Sequence, residues 1–133
     1  MNVITVAAAI ILNEHNQLLV VRKKNTNKFM QVGGKLEKNE IAENAVLREI
    51  KEEIGCIAKI NQFIGRFETS AANEPNHLLV SYVYFVDLSQ APKIDAEIEE
   101  MKWVELSDSI TQLAPLTQDV VIPWVEQYLQ TEV

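Results

Sequence analysis

Apolar and polar residues fall in short blocks along the chain, and their spacing predicts six extended segments and two helices. Val3 to Leu12 is apolar and rich in β-branched residues. Asn13-Glu14-His15-Asn16 supplies turn chemistry before a second apolar run, Leu18 to Val21, so the two predict a hairpin. Phe29 to Val32 reads as a short extended piece ended by Gly33-Gly34. Ile41 to Ile54 follows with helical composition, with Asn39 as the expected N-cap and Gly55 as the stop. At a helical spacing of about 100° per residue, Val46, Leu47, Ile50 and Ile54 share one face. Glu49, Glu52 and Glu53 lie opposite, with Ala42 and Ala45 among them, so a neighbouring element can approach that side closely. Ile57–Phe67 and Leu78–Asp87 read as strands around a polar loop, Asn73-Glu74-Pro75-Asn76, and Met101–Leu106 as a further short strand. Val121, Trp124, Val125, Tyr128 and Leu129 recur at helical spacing, and Pro123 marks either the start of that helix or a kink in it.

The order ββ(β)αβββα lacks the regular alternation of strand and helix that a dinucleotide-binding fold requires. A single domain over residues 1–133, of α/β (α+β) class with a mixed sheet between helices, fits it better. Gly33-Gly34-Lys35 is not followed by the Gly-Lys-Ser/Thr of a P-loop, and no Gly-x-Gly-x-x-Gly occurs.

Composition narrows the function classes. Twelve Lys and Arg against nineteen Asp and Glu leave a net charge of −7, with 47% apolar residues. The charge is uneven: residues 1–66 carry ten basic against seven acidic residues, and residues 67–133 two against twelve. An acidic surface without a basic stripe repels polynucleotide, while the basic residues between 22 and 38 remain able to meet a small anionic ligand. The longest apolar run is far short of the roughly 20 residues of a membrane span. A single cysteine, Cys56, forms no internal disulfide and builds no cysteine-ligated metal centre. With no secretory leader visible, a reducing, cytoplasmic compartment is the expectation.

The chemistry concentrates in one stretch. Glu49, Glu52 and Glu53 stand at i, i+3 and i+4, which puts three carboxylates within about one helical turn. Such a cluster repels itself unless solvent, Arg48 or a hard cation relieves it, and oxygen donors suit Mg²⁺ or Mn²⁺ rather than zinc. The glycines ahead of the helix let backbone come close to the same place.

From Gly34 to Cys56 the sequence resembles the Nudix box, Gly-x5-Glu-x7-Arg-Glu-U-x-Glu-Glu-x-Gly-U, where U is aliphatic. Gly34, Glu40, Arg48, Glu49, Ile50, Glu52, Glu53 and Gly55 all match in register, and Cys56 replaces the last aliphatic. Buried cysteine behaves as a small hydrophobe, so the exchange is expected to matter little. Val32 stands where many members have proline before the two glycines.

The resemblance implies an α/β/α sandwich of Nudix type and hydrolysis of a nucleoside diphosphate linked to another group, a nucleoside triphosphate or a related derivative. It implies Mg²⁺ or Mn²⁺ held by Glu52 and Glu53 with the Gly33 carbonyl, and Glu49 as a further ligand or as general base. Arg48 would orient the carboxylates, supported by Glu40. A later glutamate completes the site in many members; here Glu97, six residues before Trp103, is favoured over Glu99 and Glu100. Arg22, Lys23, Gly34 and Lys35 are the candidate phosphate contacts. A homodimer is the expected assembly by resemblance, with no polynucleotide or membrane partner. A competing reading is a module of the same fold that senses a nucleotide or sugar-nucleotide without turning it over.

Overall fold

The computed structural model describes residues 2–72 and 74–131. Its elements run β1 (Asn2–Ile10), β2 (Leu18–Lys23), β3 (Val32–Lys35), α1 (Ala42–Ile54), β4 (Ala58–Ser70), β5 (His77–Leu88), β6 (Ile98–Val104) and α2 (Ile122–Thr131). This is the predicted order. Four strands form a mixed sheet ordered β3-β1-β5-β4, in which β1 and β5 run parallel and the outer pairs antiparallel.

Both faces of this sheet are covered, which is why β1 reads as an unbroken apolar run. Ala7, Ala9, Tyr84 and Val86 pack on one side with Val46, Ile50 and Ile54 of α1. Ala8, Ile10, Val83 and Phe85 pack on the other with Leu116, Val121 and Val125. The sheet thus lies between the two helices, as expected. Among the described residues no helix is long and apolar enough to cross a membrane.

Three local expectations need correction. The turn after β1 closes as predicted, with Asn13 N–H donating to Gln17 O at 3.1 Å and Leu19 N–H to Ile11 O at 2.9 Å. Beyond the Leu12–Leu18 bridge the hairpin parts, because β3 and β5 already occupy both edges of β1; β2 instead pairs antiparallel with β6 in a separate two-stranded sheet. Second, Asn39 does not cap α1. It occupies a left-handed turn position at φ +62°, and Ile41, without a side-chain hydrogen bond, is the N-cap. Asparagine tolerates that backbone conformation better than most residues, and the turn claims it.

The third correction concerns strand ends. β4 extends to Ser70 rather than stopping at Phe67, and register shifts between Ile60 and Gln62 and between Phe63 and Gly65 disturb its alternation. β6 begins at Ile98, earlier than the predicted Met101, and β5 is longer by one residue at each end. Of the polar loop before β5, Asn73 lies outside the described residues. The last helix starts beside Pro123, one of the two outcomes expected: α2 begins at Ile122 and is entered through a π turn over Thr117–Val121, where Ile122 N–H reaches Thr117 O. Pro123 follows immediately. Its ring would press on the carbonyl four residues earlier in a regular α-helix, and a widened turn just ahead of it relieves that contact.

Candidate active site

Small residues bring α1 onto β3. Ala45 is fully buried in the core with Val46 and Ile50, and the glycines of β3 have no room for a side chain. A Cβ on Gly33 would overlap the Ala7 carbonyl of β1, and one on Gly34 would overlap the Glu49 carboxylate. Close approach lets the Gly33 N–H reach across to Glu53 Oε1 at 3.2 Å. Glu53 is therefore a helix carboxylate that is only 5% exposed. Its other oxygen lies 4.0 Å from Lys23 Nζ at the end of β2.

One N–H and one distant ammonium offset little of the cost of burying a charge. Burial pushes the Glu53 carboxyl up to about 7; the Lys23 charge and the Gly33 N–H pull the other way, while Glu49 and Glu97 add to the rise. Glu49, also largely enclosed, is raised chiefly by burial, against the pull of Arg48.

Arg48 organises the outer half of the site. Its guanidinium grips Glu40 with two bonds, Nε to Oε2 at 2.8 Å and Nη2 to Oε1 at 2.9 Å. It also donates to Glu49 Oε1 at 2.8 Å, to Glu52 Oε2 at 3.4 Å and to the Lys35 carbonyl at 3.1 Å. These bonds hold the Glu40 carboxyl down at about 2 and raise Arg48. Glu40 in turn accepts from the Glu37 N–H at 2.9 Å, tying the loop before α1 to the helix.

The donor set suits a hard cation: carboxylates only, one of them buried and under-compensated. Among the described residues, however, no three acidic, histidine or cysteine side chains converge on one point. Glu49 and Glu52 are bonded instead to Arg48, at 2.8 and 3.4 Å.

A cavity of about 210 Å³ opens beside these residues. Lys23, Gly33, Gly34 and Lys35 line it on the carboxylate side, and Ile4, Val6, Met30, Leu79 and Leu116 give it apolar walls. Arg22 does not line it; its guanidinium donates to Thr26 O at 2.9 Å and pairs with Glu100 at 3.4 Å. Of the three later glutamates, Glu100 is thereby engaged elsewhere, and Glu97 is the one whose charge acts on Glu53. Sequence reasoning missed Gln31 and Thr117. Both are buried in the cavity wall, with the Thr117 hydroxyl donating to Gln31 Oε1 at 3.0 Å and Gln31 Nε2 to Ala9 O at 2.9 Å. The available signal was a glutamine inside the apolar stretch Phe29–Val32.

The NUDIX domain family matches residues 1–125. The chain belongs to that family. Among its Nudix relatives, an 8-oxo-dGTP diphosphatase of Haemophilus influenzae is 32% identical over 107 residues, covering 77% of this chain and 76% of that protein. An ADP-ribose pyrophosphatase of Methanocaldococcus jannaschii is 35% identical over 81 residues, covering 59% of this chain and 47% of that protein. The match to a Bacillus subtilis relative covers 64% of that protein's length, so some relatives extend well beyond the shared region. In fold the chain is similar to a MutT NUDIX hydrolase from Burkholderia pseudomallei, with a TM-score of 0.79, 23% identity and coverage of 96% of this chain and 98% of the other.

Proposed function

We propose that this Nudix chain is a Mg²⁺-dependent pyrophosphohydrolase that cleaves the diphosphate linkage of a nucleoside triphosphate or a related nucleoside diphosphate derivative. The observation that carries the reading is the buried Glu53, bonded to Gly33 and 4.0 Å from Lys23, two residues that also line a cavity together with Lys35. Relatives named for a nucleoside triphosphate and for a nucleotide sugar support the substrate class.

In this reading Glu49, Glu52, Glu53 and the Gly33 carbonyl would hold Mg²⁺ or Mn²⁺. The bound cation supplies positive charge that offsets the diphosphate oxygens and acidifies water. Water attacks one phosphorus of the bridge, the bond from that phosphorus to the bridging oxygen breaks, the bridging oxygen leaves with the other phosphoryl group, and a carboxylate, Glu49 or Glu97, takes the water's proton. Arg48 orients Glu49 and Glu52 and is itself held by Glu40. Lys23 and Lys35 meet the phosphates, while the apolar walls take the base; Arg22 braces the turn that follows Lys23 through its bond to Thr26 O.

The test is a panel of nucleoside triphosphates, oxidised guanine nucleotides, dinucleoside polyphosphates, ADP-ribose and other sugar-nucleotides, each with and without Mg²⁺. Turnover of at least one with loss on chelation is expected. Turnover that survives exhaustive chelation overturns the metal dependence, and tight binding without any turnover replaces the enzyme with a sensing module.

A further inference from the structure

Of the polar side chains that line the cavity, only those of Gln31 and Thr117 are buried, at 5% and 0% exposure. The bonds they make decide which of their atoms stay free. The Ala9 carbonyl can only accept, so the amide atom facing it at 2.9 Å is Nε2, and the Gln31 amide is held in one of its two orientations. Oε1 then meets the Thr117 hydroxyl at 3.0 Å, and because an amide oxygen accepts, the hydroxyl donates. Thr117 is itself anchored, its carbonyl accepting the Ile122 N–H in the π turn that leads into α2. Among the described residues two capacities are left over: the second Nε2 hydrogen of Gln31, and the lone pairs of a Thr117 oxygen that has already donated its only proton. The side chains of Ile4, Val6, Met30, Leu79 and Leu116 on the surrounding walls offer neither of them a partner.

We infer that Gln31 is a specificity-determining residue: its second amide N–H donates to an oxo oxygen of the nucleobase, and the Thr117 oxygen accepts from the ring N–H beside that oxo group. The edge so selected is a lactam, the C=O next to N–H that hypoxanthine, guanine and uracil present. An oxo oxygen projects from the ring and accepts over a broad arc, so it suits a donor whose direction is already fixed. The amino group that adenine and cytosine project in its place sets a second donor against that N–H. A buried donor left facing another donor is costly, which is how one amide can discriminate between bases of similar size. This inference rests on the nucleotide-cleaving reading for the presence of a base in the cavity, but its test needs neither metal nor turnover.

The probes are inosine monophosphate and purine riboside monophosphate, which lacks the oxo group, titrated into the full chain under chelation. Uridine monophosphate and its analogue without the oxo group opposite the sugar bond form a second pair. The parent should bind the oxo member of at least one pair more tightly on the order of tenfold, about what one hydrogen bond supplies. Adenosine monophosphate should gain nothing over purine riboside monophosphate. Gln31→Met removes the N–H and should bring the ratio within a pair close to one, whereas Thr117→Ser keeps the hydroxyl and should preserve it. Should Gln31→Met fail to fold, the side-chain amide resonances of the parent decide: one Gln31 Nε2 proton should move downfield with the oxo nucleotide and stay in place with its partner. A parent that does not distinguish the members of either pair, a Gln31→Met protein with the parental ratio, an adenosine nucleotide held as tightly as the inosine one, or an amide proton that does not move, each overturns the inference. Oxo nucleotides that bind as expected while no triphosphate or diphosphate derivative is hydrolysed defeat the enzymatic reading alone.

Discussion

The two helices cover opposite faces of one sheet, and they are built for opposite purposes. α2 brings aromatic surface: Trp124 and Tyr128 stack at 5.1 Å between ring centroids, and both meet Phe85 of β5, at 5.3 and 4.9 Å. Dispersion and apolar burial dominate there, and the strain of Pro123 is absorbed by a π turn. α1 also buries an apolar stripe, but its other side presses an under-compensated carboxylate against glycine backbone. One face contributes stability, the other gives some of it up for a charged site. The division makes the two faces separable by experiment.

The strongest break of this comparison is Glu53→Gln, which keeps the shape and the acceptor for Gly33 N–H while removing the charge. With Mg²⁺ present, kcat on the best substrate should fall on the order of 10² to 10⁴, equivalent to about 3–5 kcal/mol of barrier. The metal-free protein should melt no lower than the parent, because repulsion with Glu49 is relieved. A variant that turns over at the parental rate removes Glu53 from the chemistry.

The pH dependence of the chelated protein comes next in size. The Glu53 carboxyl sits at about 7 in the folded chain against an ordinary 4.5. Between those values the folded state binds more protons than the unfolded, so stability is fully present below about 4.5 and is lost as pH rises through about 7. The loss is about 3 kcal/mol at most. Glu40 works in another window: held down at about 2, it contributes stability above its ordinary value that disappears as pH falls further. Melting the chelated parent and Glu53→Gln at pH 5 and pH 8 should therefore show a clear drop for the first and a flatter profile for the second. Parallel profiles would mean that Glu53 is not the buried acid described.

On the α2 face, Trp124→Ala should cost about 2 kcal/mol. That is less than the roughly 3–5 typical of a fully buried aromatic, because this ring is only partly enclosed. Chemical denaturation measures it, and Mn²⁺ affinity of the folded fraction should not move. A matching loss of Mn²⁺ binding would show that the faces are coupled through the sheet.

Local sequence carried most of the elements and the whole box from Gly34 to Cys56, because helix periodicity and turn residues act over a few positions. The close-packed Ala42–Ala45 side of α1 was legible for the same reason. Partner choice was not. That β2 leaves β1 for β6 depends on β3 and β5 having filled both edges of β1, a competition no local window contains. Asn39 carries two signals, N-cap and left-handed turn, and only the fold decides between them. The bond from Gly33 N–H to Glu53 joins residues twenty apart in sequence, and the main-chain bond from Asp95 N–H to Glu53 O, at 2.9 Å, joins residues still further apart. Spacing rules see neither.

The smallest effect sharpens the contrast within α1's own boundary. Cys56, in place of the aliphatic that ends the box, is fully buried, and its thiol is raised by that burial. Its Sγ lies 3.4 Å from the carbonyls of Ile54 and Gln90, weak contacts for a weak donor. It packs with the α1 side of the core, not with the carboxylates. Cys56→Val should therefore change stability by less than about 1 kcal/mol in either direction, as a near-isosteric apolar exchange does. Turnover and Mn²⁺ affinity should stay at the parental level. Denaturant midpoints for the pair, with kcat beside them, make the check: a kcat that falls while the midpoint holds would mean that the end of the box reaches the chemistry through the chain segment at Gln90, and the border between packing and site would have to be redrawn there.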